Sequence, residues 1–368
     1  MRKILFIINC FSGGGGAEAL LTTIVNNLNP EKYDVSIIEF VHYSAKVEKT
    51  NRNIKVLPYI VNGEDIEERR HQKYLLYHDT DNYVKDHIPE GYDLYIGFNY
   101  LAPAYLLPPE KNNILWIHGD IYNCLQDPML IEEHDQQNNM YNKAKKIIVI
   151  SDRTEKSVLD VFPAQKDKLI KIYNGIDTKK VRRQSKENSS LSVMHPAVAV
   201  VGRLDNNKDP LRAVHILKLL HEEGCCCHMY FMGDGELRED VKALAKEEEI
   251  EEYIHLTGHL ENPFPLMGRC DCTLMTSKSE GFQMSLLESL TLGVPFVSTD
   301  VGASAMLASE ENKCTVFESD SDAARSIYER FRETDKEDVA IKCLNTAMTY
   351  DIKGYIDKIE QVFDNVGE

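Results

Sequence analysis

At 368 residues the chain exceeds what one core of ordinary size organises, so two domains of about 150 to 190 residues are expected. Hydrophobic residues at 43% and charged residues at 27% are the proportions of a soluble globular protein, and a net charge of −17 argues against nucleic acid, which needs a basic face. Nine cysteines, three of them consecutive (Cys225, Cys226, Cys227), do not form a disulfide framework and imply a reducing cytoplasm.

The opening MRKILFIINCF has the basic start and short apolar run of a signal peptide. Asn9 breaks the run and no cleavage region follows, so a first β-strand over residues 4–8 is predicted. No run approaches the ~20 apolar residues of a membrane span. Further short apolar runs lie at 35–40, 55–57, 94–98, 114–117, 147–150 and 169–172, separated by helical patterns. Continuous apolar strands of this kind belong to parallel sheets covered on both faces. The polar stretch RRQSKENSSLSVMHP, residues 182–196, is predicted as a linker between domains. A second series follows at 197–201, 229–232, 254–256, 273–275, 296–298 and 315–317. The expected fold class is α/β, with two doubly wound Rossmann-like domains facing a cleft and ligands at the carboxyl ends of the strands. The expected boundaries are residues 1–181, the linker 182–196, a second domain over 197–345, and a final helix over 346–368.

Between the first strand and the first helix lies SGGGGAE, whose glycines permit close backbone approach to a phosphate at a helix start. A dinucleotide fingerprint is the rival, with Glu39 at the end of the second strand as the ribose-binding acid; Glu18 in the third glycine position speaks against it. WIHGD puts His118 and Asp120 at a strand end, where a histidine is a reactive-site candidate rather than a core residue. Lys143, Lys145 and Lys146 form a local basic patch suited to an anionic membrane, and Cys270 and Cys272 lack the second pair that zinc needs.

In the second half, VGRLDNNKDP places Arg203 and Lys208 at a strand end, a pairing that suits a diphosphate. FMGDGELRED is turn chemistry, and HLTGHLENP, with Gly258 and Leu260, is placed to edge a nucleobase. SEGFQMSLLESLTLGVPFVSTDVG reads as loop, helix, glycine stop and strand. Ser285 is the expected helix cap and Gly293 the expected stop, with Glu280 before the helix and Glu288 in its first turn. A capping box between Ser285 and Glu288 would make Glu288 purely structural. Two Asp-x-Asp sequences, at 79–81 and 320–322, have the letters of a metal-diphosphate site but lie in polar helical or turn contexts.

These motifs resemble the retaining, nucleotide-sugar-dependent glycosyltransferases of family four, with the GT-B fold. The resemblance covers most of the chain and rests on GGAE, NGID, VGRLDNNKDP, GDGELR and the E-x7-E spacing of Glu280 and Glu288. It implies a glycosyl transfer from a nucleotide sugar, expected to be a UDP-sugar, to a hydroxyl of a carbohydrate or lipid-linked acceptor in surface polysaccharide or glycolipid synthesis. It also implies that Glu288 holds the ribose, that Glu280 faces the sugar, and that Arg203 and Lys208 grip the diphosphate. Backbone N–H groups of Phe282, Gln283, Met284 and Ser285 would touch sugar and phosphate, and Gly15 and Gly16 would close from the other domain. Asn174, Gly258 and Leu260 join the donor set, His118 lies near the sugar, and the last helix crosses back to the first domain. Gln283 stands where that family often has a small residue.

The resemblance implies retention by front-face attack with no metal and no dedicated carboxylate base. No cofactor is expected beyond the nucleotide sugar as co-substrate, and no nucleic acid partner. The expected location is cytoplasmic, with peripheral contact at the inner membrane face. A nucleotide-sugar epimerase and a catalytically silent subunit are the alternative functions, and a dehydrogenase is the most distant.

Overall fold

The computed structural model describes residues 1–13, 15–43, 50–51, 53–122, 134–189 and 191–367. They fall into two compact units, Met1–Tyr173 with Lys353–Glu368, and Asn174–Ile352.

Unit 1 holds β1 (Arg2–Ile8), β2 (Tyr33–Glu39), β3 (Val41–His42), β4 (Lys55–Val56), β5 (Val61–Asn62), β6 (Leu94–Phe98), β7 (Asn113–Ile117), β8 (Lys146–Val149) and β9 (Leu169–Lys171). Seven of them make one parallel sheet in the order β4-β2-β1-β6-β7-β8-β9, while β3 and β5 pair by themselves. Side chains alternate across a strand, so each apolar run feeds two layers. Leu5, Ile7, Tyr95 and Leu115 join Leu76, Tyr105 and Val158 in one buried cluster. On the other side Phe6 meets Phe98 and, from the final helix Ile352–Asn365, Phe363, both edge-on at 6.1 Å.

That helix is fixed by more than apolar contact. Tyr33 donates its hydroxyl to Asp364 at 2.6 Å, Lys32 pairs with Asp364 at 2.6 Å, and the Arg2 guanidinium donates to the carbonyls of Phe363 and Val366. The last residues of the chain therefore seal the first sheet.

Unit 2 holds β10 (Ala197–Val201), β11 (His228–Met232), β12 (Ile254–Gly258), β13 (Cys272–Met275), β14 (Phe296–Thr299) and β15 (Thr315–Phe317), all parallel, in the order β12-β11-β10-β13-β14-β15. Val198, Met229, Phe231 and Leu274 face one layer with Val214 and Leu217, and Ala197, Ala199, Tyr230 and Met232 face another with Leu266 and Met267. No helix among the described residues is long and apolar enough to cross a membrane.

The expected linker over 182–196 is corrected. The chain passes between units at Tyr173 and Asn174, and the helix Thr178–Gln184 already belongs to unit 2. The polar stretch is tied down there: Asn262 donates to the Gln184 carbonyl at 3.0 Å, Arg269 to Leu191 at 2.8 Å, and the Met194 N–H to the Tyr230 hydroxyl at 2.8 Å. Its polarity reports exposure, not freedom. At the far end the helix Lys336–Met348 is part of unit 2, so the return to unit 1 comes at Lys353 rather than at 346.

Phe363 is fully buried against Phe6 and Tyr33. Phe363→Ala is therefore expected to cost about 3–5 kcal/mol, the usual range for emptying an aromatic site. Urea unfolding followed by circular dichroism measures it; a loss below 1 kcal/mol would mean the final helix is not holding the sheet.

Candidate functional site

In unit 1 two sequence-predicted segments occupy carboxyl ends of strands. After β1 the chain turns through Ser12 and Gly13 to Gly15, which precedes the helix Gly16–Asn27; Gly14 lies outside the described residues. Gly15 stands at the cap position without a side-chain cap, and a Cβ placed there would lie 2.5 Å from Glu18 Oε2. Gly16 has open space around its α-carbon. Glu39 does not act as the ribose acid of a dinucleotide fold. It is buried, and its carboxylate accepts from the Phe11 and Ser12 N–H groups and the Ser12 hydroxyl at 2.8, 3.0 and 3.0 Å.

His118 follows β7. Its ring lies against Phe98 at 4.1 Å and Trp116 at 5.6 Å, and its Nε2 is enclosed without a hydrogen-bond partner among the described residues. Burial pushes the imidazole down to about 3, so it is neutral at physiological pH. The loop beside it is strained: Asn99 and Leu101 have φ of 104° and 64°, a region non-glycine residues rarely enter outside functional sites. Asn99 Oδ1 accepts from the Tyr100 N–H at 2.9 Å and the His118 N–H at 3.4 Å, which fixes the histidine's backbone.

Unit 2 brings the second group together at the carboxyl edge of its sheet. A Cβ on Gly233 would stand 1.8 Å from the Gly202 carbonyl oxygen, so the loops after β10 and β11 touch backbone to backbone and only glycine allows it. In the β10 loop Asp205 accepts from the Lys208 N–H at 2.9 Å and pairs with Arg203 at 3.0 Å, leaving the Arg203 side chain 75% exposed. Asn207 ties this loop to the one after β13, donating to the Ser279 carbonyl at 2.9 Å and accepting from the Lys278 N–H at 2.8 Å. Across that lacing Lys208 Nζ meets Glu280 Oε1 at 2.5 Å, with both side chains mostly buried.

The helix after Glu280 runs Met284–Thr291, and two expectations about it fail. Ser285 is not its cap. The cap position belongs to Gln283, whose side chain donates to the Val301 carbonyl and accepts from the Ala303 N–H at 2.9 Å, bracing the loop after β14. The Gln283 side chain is therefore spent inside the protein, which leaves its backbone N–H as the group the sequence assigns to the donor, and the first-turn N–H groups of Met284 and Ser285 have no side-chain cap from it. Glu288 is then the fifth helical residue, not the fourth position of a capping box, and it lies past the first turn. Gly293 ends the helix as expected, with φ of 78° and the Val294 N–H returning to the Ser289 carbonyl at 2.9 Å.

Glu288 is held in protein surroundings that raise its carboxyl from 4.5 to about 7; burial is the cause, with Lys180 of the Thr178–Gln184 helix pulling the other way. Phe282 is buried, edge-on to Tyr350 at 6.1 Å. Asn174 opens the unit and is buried. Gly258 bridges Gly233, while Leu260 is half-buried and packs against the Met232 and Met267 cluster.

Sequence reasoning passed over Lys180, Ser277 and the internal use of Gln283. Ser277 lines the same concavity as Arg203 and Lys208, and its buried hydroxyl has no partner among the described residues. The Asp-x-Asp sequences are engaged elsewhere: Asp79 accepts from Asn82 at 2.9 Å, Asp320 pairs with Arg212 at 2.6 Å, and Asp322 closes the capping box of the helix Asp320–Phe331. Among the described residues no three side chains form a metal-holding group. Of the lysines expected at a membrane, Lys143 is mostly enclosed near Asp81 and Lys145 donates to Asn112 at 2.6 Å.

Two family models match the chain: "Glycosyltransferase Family 4" over residues 14–180 and "Glycosyl transferases group 1" over 195–331. A Campylobacter jejuni N-acetylgalactosamine-N,N'-diacetylbacillosaminyl-diphospho-undecaprenol 4-alpha-N-acetylgalactosaminyltransferase is 29% identical over 161 residues, 44% of this chain and 43% of its own length. The chain thus spans less than half of that relative. The crystal structure of Anabaena HepE in complex with UDP and glucose aligns over 99% of this chain and 100% of its own at 16% identity and a TM-score of 0.73. Sucrose-phosphate synthase from Thermosynechococcus elongatus aligns over 99% and 98% at 14% identity and a TM-score of 0.80. At these identities the two structures share the GT-B arrangement of two Rossmann-like sheets.

The raised carboxyl of Glu288 has a consequence for stability. Between pH 4.5 and 7 the folded chain holds a proton on this group that the unfolded chain has lost, so its contribution to stability falls as pH rises through that window. Glu288→Gln is expected to stabilise the protein at pH 8, by no more than about 3 kcal/mol, and to change little at pH 4. Denaturant midpoints for wild type and variant at both pH values check it; equal differences at the two would show that the carboxyl is not perturbed.

Proposed function

Because this chain belongs to the family-four glycosyltransferases, we propose that it moves a hexosyl group from a UDP-sugar to a hydroxyl of a lipid-linked carbohydrate, with retention and without a metal ion. The observation that carries the proposal is the Lys208–Glu280 pair beside the start of the Met284–Thr291 helix, on the strand-end edge of unit 2. Cations and a helix start suit a diphosphate, and carboxylates suit ribose and sugar hydroxyls.

In this proposal Arg203 and Lys208 hold the diphosphate together with the N–H groups of the first helical turn, and Ser277 offers its spare hydroxyl. Glu288 accepts from the ribose hydroxyls, and Glu280 faces the sugar. The bond between the anomeric carbon and the phosphate oxygen breaks with its electron pair going to phosphate. The acceptor oxygen bonds to the same face of that carbon, and its proton passes to the departing phosphate. Charge grows on the phosphate as the bond lengthens, so fixed cations favour the transition state over the ground state. Neutral His118 supplies no charge and suits hydrogen bonding to the sugar. An acceptor on a lipid carrier would bring the enzyme to the inner face of a membrane. The acceptor class is supported by the undecaprenol-linked substrate in the name of the Campylobacter jejuni relative, and the UDP class by the ligand of the Anabaena structure.

A panel of nucleotide sugars tested by thermal shift identifies the donor. A ligand at 100 times its dissociation constant, binding only the folded state, stabilises by about 2.7 kcal/mol. UDP-sugars are expected to stand out, and a response to nicotinamide dinucleotides alone would sink the proposal. Turnover is expected to survive EDTA; loss with chelator and recovery with Mn²⁺ or Mg²⁺ would refute metal independence. The two glutamates should separate. Glu288→Ala is expected to weaken UDP and UDP-sugar alike by roughly ten- to a hundredfold, the loss of a charge-assisted hydrogen bond. Glu280→Gln should leave UDP affinity nearly unchanged and lower the rate with donor bound. Calorimetry with a folded Glu288→Ala variant that binds UDP like wild type would refute the ribose assignment.

A further inference from the structure

We propose that Glu39 is a positioning residue for transfer: its buried carboxylate sets the conformation of the glycine loop, to which the family resemblance gives a donor contact. The proposal rests on the function put forward above. Glu39 is the last residue of β2 and is 4% exposed. One oxygen, Oε2, accepts from two consecutive backbone groups, Phe11 N–H at 2.8 Å and Ser12 N–H at 3.0 Å, and from the Ser12 hydroxyl at 3.0 Å. The other, Oε1, meets His42 Nδ1 at 2.5 Å. His42 is itself held by a parallel stack on Tyr59, with ring centroids 4.6 Å apart and planes 6° from parallel. Ser12 is fully buried and accepts in turn from the Tyr43 N–H at 2.8 Å.

Successive N–H groups converging on one oxygen make the same concavity that binds external anions in other loops. Here the anion is the protein's own. The first two N–H groups of the loop are saturated from within, which leaves Gly16, with open space around its α-carbon, as the part of the loop placed to receive a ligand's phosphate. Backbone pairing supports the clamp, since Phe40 N–H donates to the Ile8 carbonyl at 2.9 Å and Val41 N–H to the Asn9 carbonyl at 2.8 Å. A buried carboxylate is costly compared with an apolar residue in the same place. An apolar side chain would fill the position but would leave Phe11 and Ser12 unanchored, and the helix start would lose its aim.

The experiment measures UDP affinity by calorimetry, turnover of the UDP-sugar found in the panel, and amide exchange of Phe11 and Ser12 by NMR, in wild type, Glu39→Ala and Glu39→Gln. For Glu39→Ala the expected results are UDP affinity weakened threefold or more, kcat down tenfold or more, and exchange at Phe11 and Ser12 at least tenfold faster. Glu39→Gln retains an acceptor oxygen and should recover most of the rate and the protection, which a loss of general stability would not produce. Wild-type turnover in a folded Glu39→Ala protein, or unchanged exchange at the two amides, overturns the proposal. Should Glu39→Ala not fold, Ser12→Ala removes one donor to the carboxylate, and unchanged kcat in that variant overturns it equally. If no UDP-sugar is turned over, amide exchange alone decides the anchor. A wild type that binds no UDP at all refutes the proposed function instead.

Discussion

A parallel sheet sends the carboxyl ends of all its strands to one edge, so the loops after β10, β11, β12 and β13 of unit 2 must share one small space. Gly233 shows how tight that sharing is, with the Gly202 carbonyl where a Cβ would stand. Once those two loops are in backbone contact, Asp205 and Asn207 have fixed neighbours, and Lys208 is delivered to Glu280 from a loop 72 positions earlier in the chain. The chemistry of this edge follows from strand direction first and from side chains second.

Electrostatics then decides what the edge can accept. Arg203 and Lys208 are each matched by an internal carboxylate, Asp205 and Glu280, so the cations stay in place without a ligand. An incoming diphosphate would share these cations rather than find them bare, and the exposed Arg203 is the easier of the two to redirect. Lys208, mostly buried, is held by Glu280, so an anion that draws on this lysine also bears on that carboxylate.

Most strands were legible because residues buried on both faces leave unbroken apolar runs: every predicted run overlaps a strand, with 35–40, 55–57, 147–150 and 169–172 each passing its end by one residue, while the two-residue strands β3 and β5 left no run to read. The boundary between units was not legible. Polar residues at 182–196 advertise contact with water, and nothing in their letters distinguishes a free linker from a surface segment pinned by Asn262, Arg269 and Tyr230. The helix cap failed for a related reason. Ser285 has the local chemistry of a cap, but Gln283 is drawn to Val301 and Ala303, about twenty residues away, and that tertiary contact fixes where the helix begins. Arg203, Lys208 and Glu280 could be placed from sequence because they lie in loops that follow strands, and the structure pairs Lys208 with Glu280.

Glu39 at a strand end, Glu280 in a loop and Glu288 in a helix show why a glutamate is ambiguous in sequence. All three follow or end apolar runs in glycine-containing surroundings, yet their environments assign them different chemistry. Glu39 has both oxygens consumed by its own loop and by His42, and has nothing left for a ligand. Glu280 meets a lysine through Oε1, which leaves its second oxygen for a hydroxyl. Glu288 lies where burial opposes its charge and, among the described residues, Lys180 favours it. Under the proposed ribose contact, hydroxyl donors would supply what burial withholds from this carboxylate, and binding and ionisation at Glu288 would then be linked: nucleotide would favour the charged form, and the charged form nucleotide.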